Sequence, residues 1–200
     1  MIFSYLALGD SYTIGEQVKR DESFPYQTVQ LLRKDGMQVN APEIIATTGW
    51  TTDELNKAIE NTILLEKYDI VSLLIGVNNQ YRGRSASNFI IEFEHLLQLS
   101  IRVAGNIAPH VFVVSIPDWG VTPFAEGRDR KIIAEEIDSY NRVCESSAKK
   151  FQVNYIDITA SQRHDGAIAD YIAGDGLHPS GKEYSKWAAK LAGSIKENTH

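Results

Sequence analysis

Five short, mainly apolar runs at positions 3–8, 39–46, 70–75, 111–116 and 153–158 limit what this chain can fold into. Apolar runs of this length without polar alternation read as strands buried on both faces. Between them the apolar residues recur at helical spacing. Tyr26, Val29, Leu32 and Met37 form one such stripe, with Gly36 as a stop, and residues 53–65 form another. Phe89, Phe93, Leu96, Leu97 and Ile101 make a third, and Ile133, Ile137, Tyr140, Cys144 and Ala148 a fourth. Tyr184, Trp187, Ala188, Leu191 and Ile195 close the chain with a fifth. Strands alternating with helices imply βαβ units, hence a three-layer α/β/α fold around a five-stranded parallel sheet. Ligands of such sheets sit beyond the carboxyl ends of the strands, so the residues just after Leu8, Ala46, Ile75 and Ile116 carry the functional question.

No linker, internal repeat or low-complexity tract divides the 200 residues, and residues 1–200 are expected to form a single domain. The formal charge of -6 opposes a phosphate-backbone partner, so nucleic acid is not expected. Cys144 is the single cysteine and has no internal disulfide partner; its place in a helical apolar stripe reads as a small buried hydrophobe. The apolar start lacks a basic leading region and a small-residue cleavage site, and it runs directly into Gly9-Asp10-Ser11. No apolar run reaches the ~18 residues of a membrane helix. A cytoplasmic protein without membrane insertion is expected; the sequence leaves the oligomeric state open.

Gly9-Asp10-Ser11 follows the first strand, where a sharp turn would lift the Ser11 hydroxyl into the crevice. By itself the triplet is also ordinary turn chemistry, with Asp10 bonding backbone N–H groups. Asp175-Gly176-Leu177-His178-Pro179 is more specific. A serine hydroxyl is a poor nucleophile near neutral pH; an imidazole must take its proton while a carboxylate fixes the tautomer. His178 and Asp175, three residues apart on one turn, suit those roles, and Ser180 reads as the cap of the last helix. Acyl transfer also needs donors facing the developing oxyanion. The Ser11 N–H, the Gly49 N–H and the Asn78 side-chain amide all lie just past strand ends.

Gly9-Asp10-Ser11, Gly49, Gly76-Val77-Asn78 and Asp175-Gly176-Leu177-His178 stand in the order of the four sequence blocks of the GDSL (SGNH) hydrolases, and the chain resembles that family over nearly its whole length. The resemblance implies a flavodoxin-like sheet, a Ser11–His178–Asp175 triad, oxyanion donors at Ser11, Gly49 and Asn78, and no cofactor. Two residues depart from the family pattern. Tyr12 replaces Leu, and Asn79 stands where the third block usually has Asp. On this reading Asn79→Asp restores the usual acid and is expected to be nearly silent in rate.

Trp50, Tyr81, Arg82, Trp119 and Phe124 fall in loops at the same end of the sheet and are candidates for substrate binding, Arg82 toward an anionic group. His95, His110, His164 and His200 show no metal-ligand spacing, so no metal is expected. The expected partner is a small-molecule ester: a small acyl or acetyl ester of an alcohol, sugar or lipid, or a thioester. A noncatalytic phosphoryl or nucleotide module is the rival from another class. The chain lacks both G-x-x-x-x-G-K-S/T and G-x-G-x-x-G, and strand three ends at Gly76-Val77-Asn78 rather than at an Asp. A pseudoenzyme that binds carbohydrate or lipid is the third reading, although every catalytic position is filled.

Overall fold

The computed structural model describes residues 2–199. Its strands are β1 (Tyr5–Gly9), β2 (Glu43–Ala46), β3 (Ile70–Leu74), β4 (Val111–Val114) and β5 (Asn154–Ile156), joined in one sheet of order β2-β1-β3-β4-β5. All neighbouring pairs are parallel. This is the α/β, flavodoxin-like arrangement expected of the sequence. The helices are α1 (Ser11–Ile14), α2 (Phe24–Lys34), α3 (Thr52–Glu60), α4 (Val77–Tyr81), α5 (Ala86–Val103), α6 (Arg130–Phe151), α7 (Thr159–Asp165) and α8 (Gly181–Asn198). Helices α2 and α8 pack together, while α5 packs against both α3 and α6. Every residue of β1, β3 and β4 is buried, which is why those segments read as continuous apolar runs.

The strands are shorter than the apolar runs. Phe3 and Val39 meet only in an isolated bridge, and Pro42, which has no N–H to donate, precedes the start of β2. The helix expected over 53–65 ends at Glu60; Ile63 and Leu65 beyond it are exposed. Helices α1, α4 and α7 are too short to show a period, and periodicity alone did not reveal them.

Parallel register sets the site. Gly9 lies opposite Ala46 of β2 and Leu74 of β3, so three chain segments leave the sheet side by side at one row. The strand order reverses here, because β1 has β2 on one side and β3 on the other. Segment one turns at once into α1, and the turn is tight enough to need a residue without a side chain. A Cβ on Gly9 would lie 2.1 Å from the Thr13 hydroxyl oxygen and 2.4 Å from the Leu74 carbonyl oxygen. Neither neighbour can yield cheaply, since one belongs to the helix the turn starts and the other to the adjacent strand.

Gly9→Ala is therefore expected to lower the unfolding free energy by about 3 kcal/mol or more, at the upper end of overpacking costs. Urea denaturation measures it as a fall in midpoint; an unchanged midpoint would contradict the close approach.

Candidate active site

Asp10 precedes Ser11 as the N-cap of α1, and its Oδ1 accepts the Tyr12 N–H at 3.1 Å. This is the turn role expected of it. The cap leaves Ser11 at the first helical position, where the N–H has no partner within the helix. Neither the Ser11 N–H nor the Gly49 N–H has a backbone acceptor among the described residues.

Asp10 is completely buried, and loss of solvent pushes its carboxyl up to about 7 despite the hydrogen bond from Tyr12. Its Oδ2 lies 3.5 Å from the Asn78 amide nitrogen, a long contact, while the same amide donates to the Trp50 carbonyl at 2.9 Å. The Asn78 N–H toward Asp10 is thus weakly engaged and open to a better acceptor. Asn78 lies in the first turn of α4, whose N-cap is Gly76 with φ 131°. A Cβ there would meet Ile116 Cδ1 at 2.6 Å and Phe89 Cε2 at 2.8 Å, so both conformation and space require glycine.

His178 sits on a loop pinned at both ends. Ala173 N–H donates to the His178 carbonyl at 2.8 Å, Ser180 N–H donates to the Tyr171 carbonyl at 2.9 Å, and Ser180 caps α8. Asp175 braces the loop, its Oδ1 accepting the N–H groups of Leu177 and His178, each at 3.0 Å. Its Oδ2 meets His178 Nδ1 at 2.5 Å. Partial burial raises the Asp175 carboxyl. The hydrogen bonds from His178 and the two backbone N–H groups outweigh that, and the group lies below its ordinary value. Asp175 thus stays a carboxylate beside a ring that is itself buried.

Ser11 and His178 line one cavity of about 140 Å³, completed by Tyr12, Val77, Asn78, Tyr81, Trp119, Phe124 and Leu177. No hydrogen bond joins the Ser11 hydroxyl to the ring among the described residues, a looseness common in unliganded sites. Tyr12, the departure from the family pattern, is a cavity wall and packs its ring 5.1 Å from that of His178. Tyr81, Trp119 and Phe124 touch one another, with centroids 5.3, 6.3 and 6.0 Å apart. Val77 and Leu177 escaped the sequence reading, though each adjoins a residue that did not.

Gly49, Trp50 and Arg82 are not among the cavity walls. Gly49 has φ 85° and its carbonyl accepts from Arg82 Nη2 at 2.7 Å. Arg82 also pairs with Glu54 at 3.3 Å, so its charge is engaged by the loop rather than offered to an anionic ligand. Trp50 packs half-buried against the core, and only its carbonyl reaches toward the site, through Asn78. Cys144 is buried, as its stripe suggested, and burial pushes its thiol up, away from thiolate chemistry. Among the described residues no three His, Cys, Asp or Glu side chains gather as metal ligands; His200 lies outside them. No helix among them is long and apolar enough to cross a membrane.

Asn79 has a structural setting that the sequence did not show. It is fully buried, its Oδ1 accepts the Thr52 N–H at 3.1 Å, and its Nδ2 donates to the Thr52 hydroxyl at 2.6 Å. That hydroxyl donates in turn to Glu92. An Asp at 79 would keep the first bond and lose the donor of the second, leaving two carboxylates competing for one hydroxyl proton. The substitution is expected to bear on stability, because Thr52 and Glu92 complete a network built around an amide.

A turn serine with an unengaged N–H and a carboxylate-bound imidazole, lining one mostly apolar cavity, fit the ester-hydrolase class. The sequence model of the GDSL-like Lipase/Acylhydrolase family matches residues 7–186. The chain belongs to that family and is a carboxylic ester hydrolase. Its fold is that of the lipase/acylhydrolase from Enterococcus faecalis, at 21% identity and TM-score 0.74 over 100% of this chain and 98% of that one. An acetyl xylan esterase, AlAXEase, is similar at 18% identity and TM-score 0.76 over 96% of this chain and 99% of that one. TesA follows at 16% and 0.75, over 97% and 98% of the two chains. No curated protein matches the chain in sequence.

The raised Asp10 carboxyl gives a pH signature. With a folded value of about 7 and an ordinary unfolded value of about 3.9, the folded protein holds more protons between those limits. The stabilisation is complete below about pH 4 and is lost as pH rises through about 7. Denaturant titrations across that window should show the wild type losing stability more steeply than Asp10→Asn, which keeps the cap without the titration. Parallel slopes would contradict it.

Proposed function

We propose that the protein hydrolyses small carboxylic esters through an acyl-enzyme on Ser11. The observation that carries this reading is the 2.5 Å contact between His178 Nδ1 and Asp175, in a loop whose imidazole shares a cavity with Ser11. With Nδ1 engaged, Nε2 is the nitrogen left to serve the serine. Ser11 Oγ attacks the carbonyl carbon as His178 takes its proton, and Asp175 stabilises the imidazolium. The carbonyl oxygen becomes an oxyanion held by the Ser11 N–H, the Gly49 N–H and the Asn78 amide. The C–O bond to the alcohol then breaks, with the alcohol oxygen receiving the proton from His178. Water repeats the sequence on the acyl-enzyme and releases the acid.

The cavity supports the choice of small esters. It is about 140 Å³ and mostly apolar-walled, close to the ~150 Å³ that holds a six-carbon ring in other proteins. Acetyl and other short acyl groups on an alcohol, sugar or lipid suit that space. The proposed reaction needs no cofactor.

Ser11→Ala should cut hydrolysis of p-nitrophenyl acetate and butanoate by at least about 10⁴-fold while circular dichroism stays native. A fluorophosphonate probe should label Ser11 alone. Comparable turnover by the alanine variant, or labelling elsewhere, would sink the assignment.

The two adjacent asparagines separate chemistry from architecture. Asn78→Asp sets a carboxylate against the oxyanion, the Trp50 carbonyl and Asp10, and should cost more than the ~10²–10³-fold in kcat typical of one lost donor. Asn79→Asp should instead lower stability by about 1–3 kcal/mol, the cost of an unsatisfied buried group. Steady-state kinetics and urea titrations on both variants test the division; the reverse pattern would remove Asn78 from the oxyanion site.

A further inference from the structure

We propose that Trp119, locked by Gln80 and Glu136, is the wall that sets the length of acyl chain the enzyme accepts. The proposal rests on the ester-hydrolase reading of the same cavity and goes on to name its specificity determinant.

Trp119 separates two hollows. On one side is the cavity of about 140 Å³ that contains Ser11 and His178. On the other is a hollow of about 270 Å³ bordered by Gln80, Gly83, Arg128, Ile132 and Glu136, with Trp119 and Tyr81 lining both. The two aromatic rings, 5.3 Å apart, are therefore the partition, and space for several more methylenes lies behind it.

The partition is held at its tip and at its root. The indole N–H donates to Gln80 Oε1 at 2.7 Å, and Gln80 Nε2 donates to Glu136 Oε2 at 2.6 Å. Trp119 is 4% exposed and Gln80 6%, so neither polar group can exchange its partner for water without cost. At the root, the buried Asp118 accepts the Gly120 N–H at 2.9 Å and Arg163 Nε at 2.8 Å, and its own N–H donates to Gln162 at 3.1 Å. A tryptophan fixed in this way cannot swing aside to admit a longer chain.

The chemistry decides which part of the ester meets this wall. The alcohol oxygen must lie against His178 to receive its proton, so the leaving group occupies the side of Leu177 and His178. The acyl substituent is left with the side formed by α4, where Val77, Asn78 and Tyr81 share one short helix, and by Trp119. Gln80, on the same helix, touches no substrate and acts as a positioning residue through the indole.

The test is a series of p-nitrophenyl esters from acetyl to decanoyl, beside a series of butanoate esters with lengthening alcohols. In the wild type kcat/KM should fall beyond hexanoyl. Trp119→Ala should raise the octanoyl-to-butanoyl ratio in kcat/KM by about 10-fold or more, the discrimination available from a methylene or so in an apolar pocket. The alcohol series should keep its wild-type profile. Gln80→Leu should shift the acyl profile the same way, mainly through KM for the longer chains. The double variant Gln80→Glu with Glu136→Gln exchanges donor and acceptor, keeps both bonds, and should restore the wild-type profile. If Trp119→Ala does not fold by circular dichroism, Trp119→Leu replaces it. Alkyl fluorophosphonates of increasing length, scored by labelling of Ser11, give the same comparison without turnover. A folded variant with an unchanged acyl profile, or one that gains longer alcohols instead, would overturn the wall. A double variant that keeps the Gln80→Leu profile would remove Gln80 from its role. A wild type that hydrolyses no ester and is not labelled at Ser11 overturns the underlying reading, and the proposal with it.

Discussion

The site depends on how closely the backbone after β1 approaches β3. Gly9 lies where a single carbon atom would strike both the Leu74 carbonyl and the Thr13 side chain. Because that carbon is missing, α1 begins within one residue of the strand end, and Asp10 can cap it from inside the core. The cap leaves the Ser11 N–H without a helical partner, and parallel register sets Ala46, Gly9 and Leu74 in one row. Gly49, Ser11 and Asn78 follow that row after a few residues each. The close approach at Gly9 therefore places the hydroxyl, and the parallel register sets the Gly49 and Asn78 segments beside it.

Helix α4 is the second organising element, and its five residues divide the work. Val77 and Tyr81 face the cavity, and Asn78 turns its amide toward Trp50 and Asp10. Asn79 ties the helix to the start of α3 through Thr52, and Gln80 ties it to Trp119 and α6. A helix this short cannot hold itself by its own hydrogen bonds. Buried side-chain bonds in several directions hold it instead, so substitutions at Asn79 or Gln80 reach the cavity without touching it.

Two carboxylates near the site are driven in opposite directions by their surroundings. Asp10 has lost all solvent and receives too few hydrogen bonds to make up for it, so its carboxyl rises to about 7. Asp175 keeps some solvent and binds His178 and two backbone N–H groups, so its carboxyl falls. The group beside the imidazole thus keeps the charge that an imidazolium needs, and the group beside the amide costs stability when it ionises.

The layer order, the parallel sheet, and the pairing of Asp175 with His178 were legible in the sequence. Each follows from local pattern: burial on both faces erases alternation, and three residues of one turn hold a carboxylate near a ring. Ser11, Asn78 and Gly49 were legible as residues just past strand ends, because that is where a parallel sheet exposes its functional loops. What the tertiary structure alone decided concerns contacts between segments distant in sequence. Arg82 looked free for a ligand until Gly49 and Glu54 engaged it, and Asn79 looked exchangeable until Thr52 and Glu92 surrounded it. Trp119 read as one of several loop aromatics until Gln80, 39 residues earlier, and Glu136 made it a fixed partition. Periodicity and turn chemistry act over a few residues. Hydrogen bonds to buried polar groups are satisfied by whatever the fold brings near, so their partners appear only once the chain has closed.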